Sequence, residues 1–179
     1  MLVPNTRLFA AGEVLSGAIL NQTVTSLGNF LLGKPIASLY QTTTVTSVGT
    51  TATVIGFDAE TIDRDGGHST STQNSRYTAQ TPGWYRVSGT VVFDTSTNLV
   101  WTVYLTKNGS ANPVTGSYNR LRLGASAGGG LSVPMSTTLV YLNGSTDYVE
   151  LTAVVGTIAV NTAISAGNTS NMSLEWVSL

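Results

Sequence analysis

Cysteine is absent, histidine occurs once, and only 9% of the 179 residues are charged. Each shortage closes a class of explanation. Without cysteine there is no disulfide scaffold, thiolate zinc site or thiol nucleophile, so stability has to come from packing or assembly. Eight Lys and Arg against nine Asp and Glu leave a formal net charge of -1 with no basic run, which argues against nucleic acid or an anionic membrane surface as partner. No window approaches the roughly 20 apolar residues of a membrane helix. The opening MLVPNTRLFAAGEVLSGAIL has no positive cluster and Glu13 interrupts its apolar stretch, so neither membrane insertion nor a signal peptide is expected. An ordinary soluble domain carries roughly 25% charged residues. Here the mean hydropathy is +0.17, so the surface must be built largely from Thr, Ser, Asn and Gly, and an isolated monomer is poorly protected against self-association.

What is present is a hydrophobic content of 41%, enough for a real core and too much for disorder. Three parts are expected: an N-terminal anchor and helix over 1–35, a Thr-rich linker or edge strand over 36–53, and a β-domain over 54–179. Within LSGAILNQTVTSLGNFLL, Leu15 to Leu32, the residues Leu20, Val24, Leu27 and Leu31 fall on one helical stripe. Ser16 is placed to cap the start; Gly33, as a left-handed turn, and Pro35 are placed to stop it. With Gly17, Gly28 and several Thr and Ser inside, the helix is weak alone and needs partners, either its own domain or copies from neighbouring subunits.

Beyond Val54, strand-like runs alternate with turn signals as in an all-β sandwich. In Trp84 to Phe93, the residues Tyr85, Val87, Gly89, Val91 and Phe93 share one face, and Trp84, Arg86, Ser88, Thr90 and Val92 the other. Leu99 to Thr106 is apolar or aromatic on both faces and is expected to be covered on both. Asn108-Gly109 supplies positive φ for a tight turn. Further strands are expected at Tyr118 to Leu123, Leu131 to Tyr141, Tyr148 to Val155, Thr157 to Ile164 and Met172 to Leu179, with a loop over Gly124 to Gly130.

Chemistry-bearing groups are few. His68 sits in DAETIDRDGGHSTST without a Gly-x-Ser-x-Gly elbow, and reads as a surface-loop histidine rather than a catalytic base. Asp63-x-Asp65-Gly66 shares its first positions with a calcium loop, making Asp63 and Asp65 weak metal candidates. The acid such a loop needs at position twelve is Asn74, so a solvated polar loop with no metal is favoured. Trp84 and Tyr118, beside turns, are the aromatics suited to contact a ligand such as a sugar ring. No paired acids, Walker loop or dinucleotide fingerprint occurs, and no enzymatic activity or cofactor is expected.

Thr81-Pro82-Gly83-Trp84-Tyr85-Arg86-Val87 resembles the Pro-Gly-x-Tyr strand of the tumour-necrosis-factor-like family, which includes the globular heads of the first complement component. Leu105 to Gly109, Leu142 to Leu151 and the closing Ser173-Leu174-Glu175-Trp176 are similar to further family strands in order, although Ser145-Thr146 is inserted where the family has Gly-Asp directly. The resemblance covers Val54 to Leu179. It implies an antiparallel jelly roll of ten strands that trimerises around an apolar axis. The opening Arg7-Leu8-Phe9-Ala10-Ala11-Gly12-Glu13-Val14-Leu15, with the helix ending near Pro35, is similar to small virion proteins of actinobacterial phages, described as minor tail proteins or fibres. That implies a structural virion protein made in the bacterial cytoplasm, a trimeric knob decorating capsid or tail. Leu8, Phe9, Val14 and Leu15 would dock it on phage proteins, the stripe from Leu20 to Leu31 would trimerise it, and loops including Asp58 to Asn74 would face solvent or a host surface glycan. A soluble lectin-like adhesin is the alternative.

Overall fold

The computed structural model describes residues 4, 8–14, 16–44, 47–94, 100–122, 131–156, 160–161, 164–165 and 168–179. Leu15 and the 124–130 loop lie outside them. Helix α1 (Gly17–Gly33) comes first, then strands β1 (Ile36–Tyr40), β2 (Ser47–Val48), β3 (Thr53–Val54), β4 (Ala59–Asp63) and β5 (Arg76–Thr78). The two longest central strands follow, β6 (Pro82–Phe93) and β7 (Val100–Lys107), then β8 (Asn119–Arg122), β9 (Leu131–Pro134), β10 (Thr138–Asn143) and β11 (Tyr148–Val155). Short pieces β12 (Val160–Asn161), β13 (Ile164–Ser165) and β14 (Asn168–Thr169) precede the closing β15 (Asn171–Ser178).

These strands form an antiparallel jelly roll of two layers. The first sheet runs β10-β6-β15-β1-β4, with β9 continuing the β10 edge of β6; the second runs β3-β11-β7-β8, with β5 also on β11. The core lies between. From the first sheet Tyr85, Val87, Val91 and Phe93 point inward, and from the second Trp101, Val103, Leu105 and Leu151, all without exposed surface. Each such side chain contributes roughly 1.5–3 kcal/mol of hydrophobic stabilisation. The alternation read along Trp84 to Phe93 is the observed one except at its end, where Val92 is buried as well. The second face of β7 is covered as expected: Thr102, Tyr104 and Thr106 are all buried.

Four boundaries differ from the sequence reading. Leu131 to Tyr141 is two strands, because Pro134 lacks the N–H a continuous ladder requires. Ile36–Tyr40 is an inner strand between β15 and β4. Part of the presumed polar loop is β4, the strand that pairs with it. Gly33 ends α1 without entering the left-handed region. Instead Lys34 turns directly to extended backbone (φ -55°, ψ 150°), the geometry favoured for a residue before proline. The freed carbonyls of Leu32 and Lys34 accept hydrogen bonds from Arg64 Nη1 at 3.2 and 3.4 Å. Ser16 caps the other end as expected, its Oγ accepting from Ile19 N at 3.3 Å.

Candidate interaction surfaces

The acidic segment is a structural brace. Asp63 accepts from the backbone N of Gly66 (3.1 Å) and His68 (2.8 Å), while Asp65 accepts from Thr81 Oγ1 (2.9 Å). Asp63 and Asp65 thus serve separate turns. Among the described residues no group of three or more His, Asp or Glu converges to hold a metal. Asp58 accepts from Thr42 N, Thr42 Oγ1 and Thr43 Oγ1. Burial pushes its carboxyl up, but the hydrogen bonds from Thr43 and Thr42 outweigh that and leave it below the ordinary carboxylate value.

His68 is not a surface side chain; its ring has no exposed area. The ring nitrogens face Glu60 Oε2 at 3.2 Å and the carbonyl of Asn74 at 3.1 Å, and its backbone bridges to Tyr77. The chain folds tightly over Tyr77 because residue 67 is glycine: a Cβ there would sit 2.6 Å from the carbonyl oxygen of Thr78. With one ring nitrogen facing Glu60 of β4 and the other the Asn74 carbonyl, the imidazole bridges β4 and the turn before β5.

The Ser145-Thr146 insertion closes on itself. Asn143 Oδ1 accepts from the backbone N of Ser145, Thr146 and Asp147, and Asp147 accepts from Lys107 Nζ (2.7 Å), Asn108 Nδ2 (2.7 Å) and Asn143 N (3.1 Å). Asn108, at φ 54°, makes the turn that puts its amide there. Burial raises the Asp147 carboxyl, but Lys107, Asn108 and Asn143 together hold it below its ordinary value. The folded state therefore binds this proton less readily than the unfolded chain. Its stabilisation is complete above the ordinary carboxylate value, about pH 4, and is lost as pH falls through the depressed folded value. Asp147→Asn is expected to cost about 1 kcal/mol near neutrality. Urea unfolding should show that gap narrowing below about pH 4; a gap unchanged in acid would contradict the assignment.

The two aromatics singled out as ligand contacts lie on opposite faces of the sandwich. Trp84 points outward from β6, 43% exposed, with Tyr141 of β10 across the ladder at 5.8 Å between ring centroids. Leu139, two residues along β10 and opposite Arg86, is 51% exposed. Tyr118, just before β8, stacks on Tyr104 on the outer face of the second sheet, 6.0 Å between centroids and 20° between planes. Within one subunit Trp84 and Tyr118 do not form a single site. Between Trp84 and the sheet's far edge, Ser38, Ser173 and Ser88 form a row of small side chains beside Ile36, Glu175 and Arg86, leaving a shallow groove. Glu175 there pairs with Lys34 Nζ (3.1 Å) and Arg86 Nη1 (3.2 Å).

The helix turns its apolar stripe away from its own domain. Leu20, Val24, Leu27 and Leu31 are all 45% exposed or more, whereas the buried residue is Phe30, set edge-on against Trp176 at 4.9 Å. Phe30 lies roughly 90° round the helix from Leu31, off the stripe. Leu8 and Val14 are exposed and Phe9 about half so. No described helix is long and apolar enough to cross a membrane.

No protein-family model and no curated protein matches the chain. Its structure is similar to that of murine APRIL at pH 5.0 (TM-score 0.56, 15% identity, covering 79% of this chain and 98% of that one). It is likewise similar to murine APRIL at pH 8.5 (TM-score 0.54, 14% identity, with the same coverages). Eiger TNF from S. frugiperda gives a TM-score of 0.53 at 14% identity, covering 81% of this chain and 94% of that one. At such identities the likeness is one of fold: this chain is a tumour-necrosis-factor-like antiparallel jelly roll with one short N-terminal helix.

Proposed function

We propose that the protein is a non-enzymatic display module that works as a homotrimer, with its N-terminal segment attaching it to a larger particle. The observation that carries this reading is the surface of α1. Its 17 residues include no charged side chain, and its apolar stripe is exposed although the helix is held on the domain by Phe30. A lone surface helix normally sets charged residues against water on its outer face; this one meets that need by packing against copies of itself. Trp84, Leu139, Tyr141 and Val177 add exposed apolar surface to the outer face of the first sheet, alongside the ion pairs of Glu175 with Lys34 and Arg86, and this face would form the trimer's inner wall. The fold likeness supports the same threefold arrangement.

The particle we infer is a bacteriophage virion, in which Leu8, Phe9, Val14 and Leu15 would dock on capsid or tail proteins. The similarity of the opening segment to small phage virion proteins supports this. Mass photometry of the intact protein is expected to show a trimer; a monomer at micromolar concentration would overturn the assembly. Attachment is tested separately by replacing Leu8 and Val14 with Asp in the phage and measuring incorporation. Normal incorporation would remove the anchor assignment.

A further inference from the structure

The outer face of the second sheet carries a cavity that the assembly leaves open, because trimerisation would use the first sheet. The cavity encloses about 170 Å³. Its floor follows from strand register. Thr152 of β11 lies between Val54 of β3 and Tyr104 of β7, and Glu150 of β11 lies between Arg76 of β5 and Thr106 of β7. The turn after β7 brings Gly109, Ser110 and Ala111 over one side.

Glu150 is the unusual element. Its side chain is 6% exposed, which for a carboxylate demands compensation. One oxygen has it: Oε1 accepts from Ser75 Oγ at 2.7 Å and Arg76 Nε at 3.1 Å. Among the described residues nothing donates to Oε2. Across the register from Glu150, Thr106 Oγ1 lies 3.1 Å from Thr152 Oγ1 and donates to the Glu150 backbone carbonyl at 3.3 Å. The floor is therefore rich in acceptors, and an occupant has to bring hydrogen-bond donors. It need not bring charge, since Arg76 already neutralises the carboxylate and is itself held over the Tyr148 ring at 4.1 Å. Val54 and Tyr104, on either side of Thr152, supply the lining's apolar surface.

Hydroxyl donors on one side, an apolar C–H face on the other and no net charge describe a neutral sugar ring. We propose that this cavity is a saccharide subsite, with Glu150 Oε2 and the Thr106 and Thr152 hydroxyls accepting from sugar hydroxyls and Val54 covering the C–H face. The cavity is below the size of a drug-like pocket, so it takes a single ring, as the end or branch of a glycan.

The test is a methyl-detected NMR titration of the full chain with free glucose, galactose, mannose, rhamnose and N-acetylglucosamine. Concentrations run to about 50 mM, which fills even a millimolar site. At least one sugar is expected to shift the Val54, Thr106, Ala111 and Thr152 methyls to saturation. Thr152→Val, which keeps the shape and removes a hydroxyl, should weaken that binding roughly tenfold. Ala111→Trp, on the exposed turn, should abolish it with the rest of the spectrum unchanged. Failure of every sugar, shifts that survive Ala111→Trp, or occupation by n-butylammonium in preference to the sugars would overturn the proposal. A trimer that binds no sugar removes the subsite alone, and a monomer that binds one removes the assembly alone.

Discussion

Gly83→Ala is expected to lower the unfolding free energy by about 3 kcal/mol, among the larger costs of a single methyl group. Gly83 holds φ 144°, and a Cβ there would lie 2.3 Å from Trp176 Nε1 and 2.4 Å from the Ser178 carbonyl oxygen. The second of these is backbone and cannot rotate away. Relief would require β15 to move off the end of β6, breaking the 2.9 Å hydrogen bond from Trp176 Nε1 to the Pro82 carbonyl and loosening Phe30, which rests on the Trp176 ring. The neighbouring motif residue acts at the same corner: Tyr85 donates its buried hydroxyl to the Thr81 carbonyl at 2.7 Å. The Pro-Gly-x-Tyr pattern is thus a closing device that lets the last strand cross the start of a central one. Urea unfolding measures the effect. A loss under about 0.5 kcal/mol, the ordinary range of a surface substitution, would show that the strand accommodates the methyl.

If the protein assembles as proposed, the double substitution Leu139→Asp with Tyr141→Asp is expected to turn the proposed trimer into monomers, raising the dissociation constant by about a thousandfold or more. Both side chains already point out of the sandwich, 51% and 44% exposed, so the subunit core, formed on that strand by Val140 and Leu142, is untouched. In an assembly packed through this face the new carboxylates would be desolvated without a partner, and each would meet its symmetry copies around the axis. Tyr118→Asp, on the other sheet, should leave the trimer intact. Sedimentation of the three proteins at equal concentration decides it: a double variant that remains trimeric would exclude the first sheet as the contact face.

Much of the sandwich was legible because its determinants are local. Period-two burial along β6 reflects the pleat itself, and Asn108-Gly109 and Asn143-Gly144 carry turn chemistry in adjacent residues. The helix was legible for the same reason, through a capping serine at one end and a proline at the other. Phe30, Arg64 and His68 were not. Phe30 lies off the stripe and is buried only because Trp176 arrives from the far end of the chain; Arg64, within the acidic segment of the sequence, reaches across to cap the helix C-terminus. Nothing near Glu150 in the sequence marks it as buried. Its hydrogen bonds come from Arg76, paired beside it by β5, and from Ser75 just before that strand, which is too short to show a period.

The amino-acid sequence by itself determined that this chain would be a low-charge antiparallel β-domain with a helix needing cover, since shortage of charge and alternation of apolar residues are properties of composition and of near neighbours. Only the tertiary structure decided which surfaces are left over for other molecules. The register of strands distant in the chain sets Trp84 beside Tyr141 on one face and Glu150 beside Thr106 on the other. The physical reason is that a strand's two faces follow from its own residues, whereas what lies across and above each face depends on chain closure over the whole domain.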